Sequence, residues 1–266
     1  MKFEILSAEE LKEIPSASGI IKSGDHYYVV GDDSPFLYCL DKNFEHLSKT
    51  KIYSVDKVEG NTITKKHKPD FEAMEKITEE EFAIFGSGSK SPERDYFVRV
   101  NVKDQEVKTL QISNFYNFLK KQPLFKDAEL NIEAAAEYKG TLILFNRKKN
   151  LVISFNYAEF VDHIENEAPI PVVSIVDVTL PKTNGIEAGF SGATAFPNKP
   201  ILIFTASVED TQNAYDDGEI LGSYIGLLDM KTFKIIGDLQ PIDSPDEKEG
   251  PVKVESVGID KVIGDN

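Results

Sequence analysis

Glu72, Glu133 and Glu255 stand 61 and 122 residues apart, one period and then two. Each opens a similar stretch, and serine takes the same place in two further copies, at Ser18 and Ser191. The third unit is the clearest. It runs Asn131-Ile132-Glu133-Ala134-Ala135-Ala136, a Lys139-Gly140 turn, an apolar run at 141–145, a polar loop at 146–150 and a second apolar run at 151–155. Short β-rich runs punctuated in this way read as strand, turn, strand, loop, strand. The same order recurs over 16–40, 70–100 and 189–228, and a fifth copy begins at 254–259 and stops.

A fixed period means that one supersecondary unit stacks against copies of itself, because none of them buries its apolar face alone. Each unit also has room for a fourth, outer strand, at 47–55, 107–112, 172–178 and 233–239. Four short antiparallel strands per repeat are what a propeller blade requires. The expectation is an all-β protein, a single β-propeller domain over residues 1–266, with five blades preferred and six possible. A two-sheet sandwich is the competing all-β architecture, but it would not need a period.

The period exceeds the roughly 40–50 residues of common propeller repeats, so the blades should carry extra elements. Residues 114–121 look like a short helix, and Tyr157, Phe160, Val161 and Ile164 follow the i, i+3, i+4, i+7 spacing of a helix face. The fifth unit supplies little beyond an inner strand before Asn266. Either the natural protein or its relatives continue further, or the last blade is incomplete and closed by the N-terminal strand at 3–6, since an open edge leaves backbone groups unpaired.

A net charge of −15 argues against nucleic acid and membrane partners, both of which need a basic face. The early acidic residues and lack of a long apolar run exclude a signal peptide and a spanning helix, which points to a cytoplasmic protein. There is no P-loop, no Gly-x-Gly-x-x-Gly, no Gly-x-Ser-x-Gly elbow and no paired-cysteine zinc pattern. Cys39 is the single cysteine and sits in an apolar run, so it reads as a buried structural thiol. The four histidines share no repeat position and read as turn, strand-edge and helix-surface residues.

In an up-and-down blade the innermost strand lines the channel and its neighbour runs back, so inner-strand starts and second-strand ends share one face of the disc. The starts bring Glu72, Glu133, Glu255, Ser18 and Ser191; the ends bring Asp32, Asp33, Ser87, Ser89, Arg94, Asn146, Arg147, Thr205, Ser207, Glu209, Asp210 and Thr211. Carboxylates and amide or hydroxyl oxygens are hard donors suited to Ca2+ or Mg2+. Glu72, Glu133, Glu255 and Asp33 are the candidate metal ligands, and Glu133, Glu72 and Asp32 the candidate catalytic carboxylates. Arg94 and Arg147, with Asn146, Ser87, Glu209 and Asp210, are candidates to hold an anionic ligand. The alternative is that glutamates and arginines of neighbouring blades pair and tie the ring together, because lone buried charges are costly. The loop 207–219, with five acidic residues in thirteen, is either a calcium-holding loop or a solvated face.

Ser16-Ala17-Ser18-Gly19-Ile20 with Gly31-Asp32-Asp33-Ser34, Lys68-Pro69-Asp70-Phe71-Glu72-Ala73, Ile132-Glu133-Ala134-Ala135 with Asn146-Arg147, and the run 204–211 together resemble an uncharacterised bacterial β-propeller family. That family is distantly similar to phytase-like and SdiA-regulated-like propellers, where a Glu-x-x-Ala segment precedes each inner blade run. The resemblance covers essentially the whole chain and implies the fold better than the activity, since propellers host lactonases, phytases, lyases and binding scaffolds. Lactonase-type propellers place Glu, Asn and Asp oxygens on a calcium at the channel mouth. Ser18 and Ser191 depart from an all-Glu pattern, and Arg94 and Arg147 add positive charge, which favours an anionic ligand or salt bridges. The leading expectation is a small-molecule site at the channel mouth, hydrolytic and metal-assisted, acting on an ester, lactone or phosphoester. The alternative is a non-enzymatic propeller that binds a protein partner on its loops.

Overall fold

The computed structural model describes residues 3–55, 58–211, 218–244 and 250–263. The first sheet holds β1 (Ala17–Ser23), β2 (His26–Gly31), β3 (Phe36–Leu40) and β4 (His46–Lys51) in that order. A small hairpin follows, β5 (Val58–Glu59) with β6 (Thr62–Ile63). The second sheet is β7 (Phe71–Lys76), β8 (Glu81–Gly86), β9 (Tyr96–Asn101) and β10 (Glu106–Gln111), leading into helix α1 (Ser113–Lys120). The third is β11 (Ile132–Tyr138), β12 (Thr141–Asn146), β13 (Leu151–Asn156) and, after helix α2 (Tyr157–Asn166), β14 (Ser174–Asp177). A second small hairpin, β15 (Lys182–Thr183) with β16 (Ile186–Glu187), precedes the fourth sheet of β17 (Gly189–Ala195), β18 (Ile201–Asp210), β19 (Glu219–Asp229) and β20 (Gln240–Ile242).

The inner strands β1, β7, β11 and β17 lie side by side in that order, which makes the four sheets blades around a channel. Apolar clusters fill the wedges between blades. Phe71, Phe82 and Val98 pack between the first and second, and Phe145, Phe190 and Phe204 between the third and fourth. The two helices thicken the wedge between the second and third, where Phe160 of α2 contacts the rings of Phe85, Phe97, Phe115 and Phe155. Asn156 caps α2 by accepting from the Glu159 amide at 3.0 Å, so the predicted amphipathic helix begins where its capping residue stands. Lys139 and Gly140 both adopt positive φ, 50° and 83°, the two-residue turn whose twist matches a hairpin.

The count of five or six blades is corrected to four. What would be the fifth carries no regular strand among the described residues, yet it occupies the gap between the fourth blade and the first. The Ser207 hydroxyl lies 2.9 Å from the Val254 carbonyl oxygen and 3.2 Å from its amide, and the Ser223 hydroxyl donates to the Val252 carbonyl at 2.7 Å. On the other side the Ile20 amide donates to the Ser256 hydroxyl at 3.2 Å, and Lys22 pairs with Asp260. Side-chain hydroxyls thus replace most of the ladder that a β-strand would supply. Gly192 makes the approach possible, since a Cβ there would stand 2.6 Å from the Ser256 Cα.

Closure by the N-terminal segment is also corrected. Residues 3–6 form no strand, and Phe3, Ile5 and Leu6 are exposed. The fourth strand of the last blade lies at 240–242 rather than 233–239, where Ile235 makes an isolated bridge to Leu228. Positive φ at Phe233 and Gly237 breaks the extended run there. Among the described residues no helix is long and apolar enough to cross a membrane.

Candidate site at the acidic mouth of the channel

Every inner strand carries a register shift at its start. The pairing skips between Ala17 and Gly19, Phe71 and Ala73, Ile132 and Ala134, and Phe190 and Gly192. The residues left over are Ser18, Glu72, Glu133 and Ser191, the four that share the repeat position. A bulge of this kind adds one residue against its partner strand and re-aims a side chain. The repeat in the sequence is therefore a repeated bulge; Ser18, Glu72 and Glu133 sit around one mouth, while Ser191 is fully buried beside it.

A cavity of about 450 Å³ opens there, lined by Ser18, Glu72, Glu133 and Glu255 together with the charged groups of the adjoining loops. Asp32, Asp33, Arg94, Arg147 and Glu209, all singled out from the sequence, line it too. Asn146 and Ser87 do not. Both are fully buried and act at one remove: Asn146 binds the Asn131 amide at 2.7 Å and three nearby carbonyls, and Ser87 donates to Asp70 at 2.5 Å. Asp210 is exposed at the end of β18 and off the cavity. The central part of the acidic loop, 212–217, lies outside the described residues.

Four cations hold most of the carboxylates. Lys68 pairs with Asp32 of the first blade and with Asp70 of the second at 2.8 Å. Arg94 donates to Asp70 at 2.6 Å and to the Ser89 hydroxyl at 2.7 Å. Arg147 bridges Glu133 of its own blade at 3.3 Å and Glu209 of the fourth at 2.6 Å. Lys253 joins Glu209 at 3.6 Å and Glu255 at 2.7 Å. Glu72 has no hydrogen bond and no cation among the described residues. Its carboxylate instead meets other carboxylates. Asp32, Asp70 and Glu72 each offer an oxygen within 4.8 Å of the others, and so do Glu72, Glu133 and Glu255.

The electrostatic result is a group that resists ionising. Burial first, and then the charges of Asp70, Glu133, Asp32 and Glu255, push the Glu72 carboxyl well above the usual range. Glu133 is also raised, by burial that the Arg147 guanidinium offsets only in part. Burial followed by the neighbouring Asp32 raises Asp33, which lies outside both groups of three. Buried oxygens of Asp32 and Asp33 are left without a hydrogen-bond partner.

Asp70, Asn131, Lys253 and the pairing role of Lys68 were missed in the sequence. The first three stand two residues before Glu72, Glu133 and Glu255. In extended chain that spacing returns a side chain to the same face. Asn131 does reach Glu133, donating at 2.6 Å, as Lys253 reaches Glu255. A period-two reading of the repeat starts would have found Asn131 and Lys253; Asp70, at a positive φ of 57°, reaches the mouth off an extended path.

The family model for DUF6929, described as a family of unknown function, matches residues 13–266. The chain belongs to that family. No curated protein matches it. Among solved structures it is similar to the hydrazine synthase of Kuenenia stuttgartiensis, at 9% identity and a TM-score of 0.43 over 90% of this chain and 53% of that one. It is similar also to the Cps50 (Swd1) β-propeller domain of Myceliophteria thermophila, at 9% identity and 0.41 over 85% and 56%. A third likeness is to the glutaminyl cyclase of Myxococcus xanthus, at 12% identity and 0.43 over 71% and 67%. The chain spans little more than half the length of the first two. The family description agrees with the resemblance to an uncharacterised propeller family, and the phytase-like part of that resemblance finds no support in these matches.

Proposed function

We propose that this protein is a small-molecule-binding propeller whose ligand is met at the acidic mouth, with a Ca2+ or Mg2+ ion held between Glu72, Glu133 and Glu255. The observation that carries this reading is the place where cations are missing. Lys68 ties the first blade to the second, Arg147 the third to the fourth, and Lys253 the fourth to the C-terminal segment. Between the second blade, the third and the C-terminal segment, carboxylates face one another instead. A hard divalent ion supplies the absent charge there and is matched by all-oxygen donors. When bound, such an ion polarises an ester, lactone or phosphoryl oxygen and acidifies water, which is the chemistry of a hydrolase. Asp32, which lines the same cavity, is the candidate base, and Arg94 and Arg147 line it too, each already engaged by a carboxylate.

The test is thermal melting of the full chain with Ca2+, with Mg2+ and with EDTA. A ligand at about 100 times its Kd adds about 2.7 kcal/mol, so the melting temperature should rise by several degrees with at least one ion. Glu72→Gln should abolish the rise. No shift with either ion would remove the metal reading. A panel of lactones, phosphomonoesters and aryl esters then tests turnover.

The buried Arg94–Asp70 and Arg147–Glu133–Glu209 contacts favour a second reading, a structural ring in a non-enzymatic propeller that binds a protein partner. Uniform inactivity together with the absence of any cation effect would select it.

A further inference from the structure

The inner strands leave the acidic mouth and end at a second cavity on the opposite face. It holds about 610 Å³ and is lined by Ile21 of β1, Glu75 of β7, Tyr138 of β11 and Thr194 of β17, with Ile259 of the C-terminal segment. Glu75 is 6% exposed. One of its oxygens, Oε1, accepts the Lys76 amide at 2.7 Å. The other, Oε2, is buried and has no hydrogen-bond partner. Buried polar atoms in native proteins are nearly always paired, and one that is not needs a reason.

The surroundings say what would pair with it. Burial pushes the Glu75 carboxyl up to about 8, against the pull of the Lys76 amide and the Thr194 hydroxyl; the Glu137 charge adds to the rise. At neutral pH Oε2 is then an O–H donor seeking an acceptor. Lys22, Lys76, Lys139 and Lys261 surround the opening, against Glu79, Glu137 and Asp260. Lys22 pairs with Asp260, Lys76 with Glu79 at 2.6 Å, and the Lys139 ammonium lies over the Tyr138 ring. Among the described residues, these lysines outnumber these carboxylates at this mouth of a chain whose net charge is −15. Ile21, Ile77, Phe196 and Ile259 supply apolar wall.

We propose that this second mouth binds a small organic monocarboxylate, its carboxylate at the buried Glu75 oxygen and its apolar body against the isoleucine and aromatic walls. The carboxylate accepts the Glu75 proton in a charge-assisted hydrogen bond, and the lysines favour an anion over a neutral or cationic molecule. Nothing in this depends on the acidic mouth.

Calorimetry and ligand-observed NMR on the full chain, with benzoate, phenylacetate and hexanoate as probes, test it. Binding is expected near pH 6.5, weakening roughly tenfold by pH 9 as Glu75, with a pKa of about 8, loses its proton. Glu75→Gln keeps a donor and should bind at both pH values with that dependence gone. Glu137 is also raised by burial, so Glu137→Gln separates the two groups: because the Glu137 charge helps to raise Glu75, this variant should keep the pH dependence with its midpoint moved to lower pH. Lys139→Glu, on an exposed turn, should weaken binding severalfold at low salt, and serves if Glu75→Gln does not fold. The proposal is overturned if none of the probes binds at millimolar concentration, if benzamide binds as well as benzoate, or if wild-type affinity is the same at both pH values. It is equally overturned if Glu137→Gln rather than Glu75→Gln removes the dependence.

Discussion

Glu75 and Glu72 are three residues apart on one strand and both resist ionisation. Glu75 does so because burial strips its carboxylate of water and the Lys76 charge offsets little of that cost, and the consequence for stability has a definite sign. Its carboxyl titrates near 8 in the folded chain against 4.5 for the ordinary group. Between those values the folded protein holds a proton that the unfolded chain has released, so stability falls as pH rises from about 4.5 to about 8. The full excursion is on the order of 4–5 kcal/mol. Urea unfolding at pH 5, 7 and 8.5 should show wild type losing stability across the series and Glu75→Gln losing less, so that the variant is the more stable at pH 8.5. Parallel slopes for the two proteins would show that Glu75 is not the group responsible. Arg147 is the opposite case. It is buried between Glu133 and Glu209, so Arg147→Ala leaves Glu133 without its cation and Glu209 with Lys253 alone, and should cost about 3–5 kcal/mol in the same assay. Glu133→Ala removes only one of the pair and should cost about 3 kcal/mol.

The bulge at the start of each inner strand is the element on which the site depends. It breaks the alternation that would otherwise send Glu72 and Glu133 into a packed wedge, and it does so in four blades at the same place. In the first and fourth blades a serine suffices, because Ser18 only has to reach the Phe71 carbonyl of the next blade, at 2.5 Å, and Ser191 lies beside Thr205 and Ser207. The strand next to the C-terminal segment carries a further requirement. Any side chain at Gly192 would meet the Ser256 backbone and the Thr205 hydroxyl, each 2.6 Å from an added Cβ. Gly192→Ala should therefore cost about 1–3 kcal/mol. A melting temperature equal to wild type would show that the segment can move aside at no cost.

For the molecule as a ring, the segment from 252 to 260 is the closure. It fills the sector between the fourth blade and the first, and it brings Lys253 and Glu255 to the acidic mouth and Ile259 to the other. A chain ending at residue 250 loses all of these together. It should melt at a lower temperature, show no cation-dependent rise and scatter light as the uncovered edges of β1 and β17 associate. A truncated chain that melts like the full one, with its cation response intact, would mean that the four blades close without the segment.

The period of 61 and the alternation of short apolar runs were enough for the propeller, for both helices and for three of the four outer strands, because these follow from local spacing and turn chemistry. They were enough also for the face on which Glu72, Glu133, Asp32, Arg94, Arg147 and Glu209 meet, since antiparallel strands return to the side they left. They were not enough for the number of blades. A repeat start at 254–259 looks the same whether three more strands follow or a single extended segment is held by serine hydroxyls, and only packing between the fourth blade and the first distinguishes the two. Nor did spacing say which carboxylate would lack a cation. That depends on Arg147 reaching across to the fourth blade and Lys68 back to the first, distances that no position in the repeat encodes. Glu75 was invisible for the same reason: a glutamate near the end of a strand is ordinarily solvated, and its burial here depends on parts of the chain that the repeat alone does not place, Thr194 of the fourth blade among them.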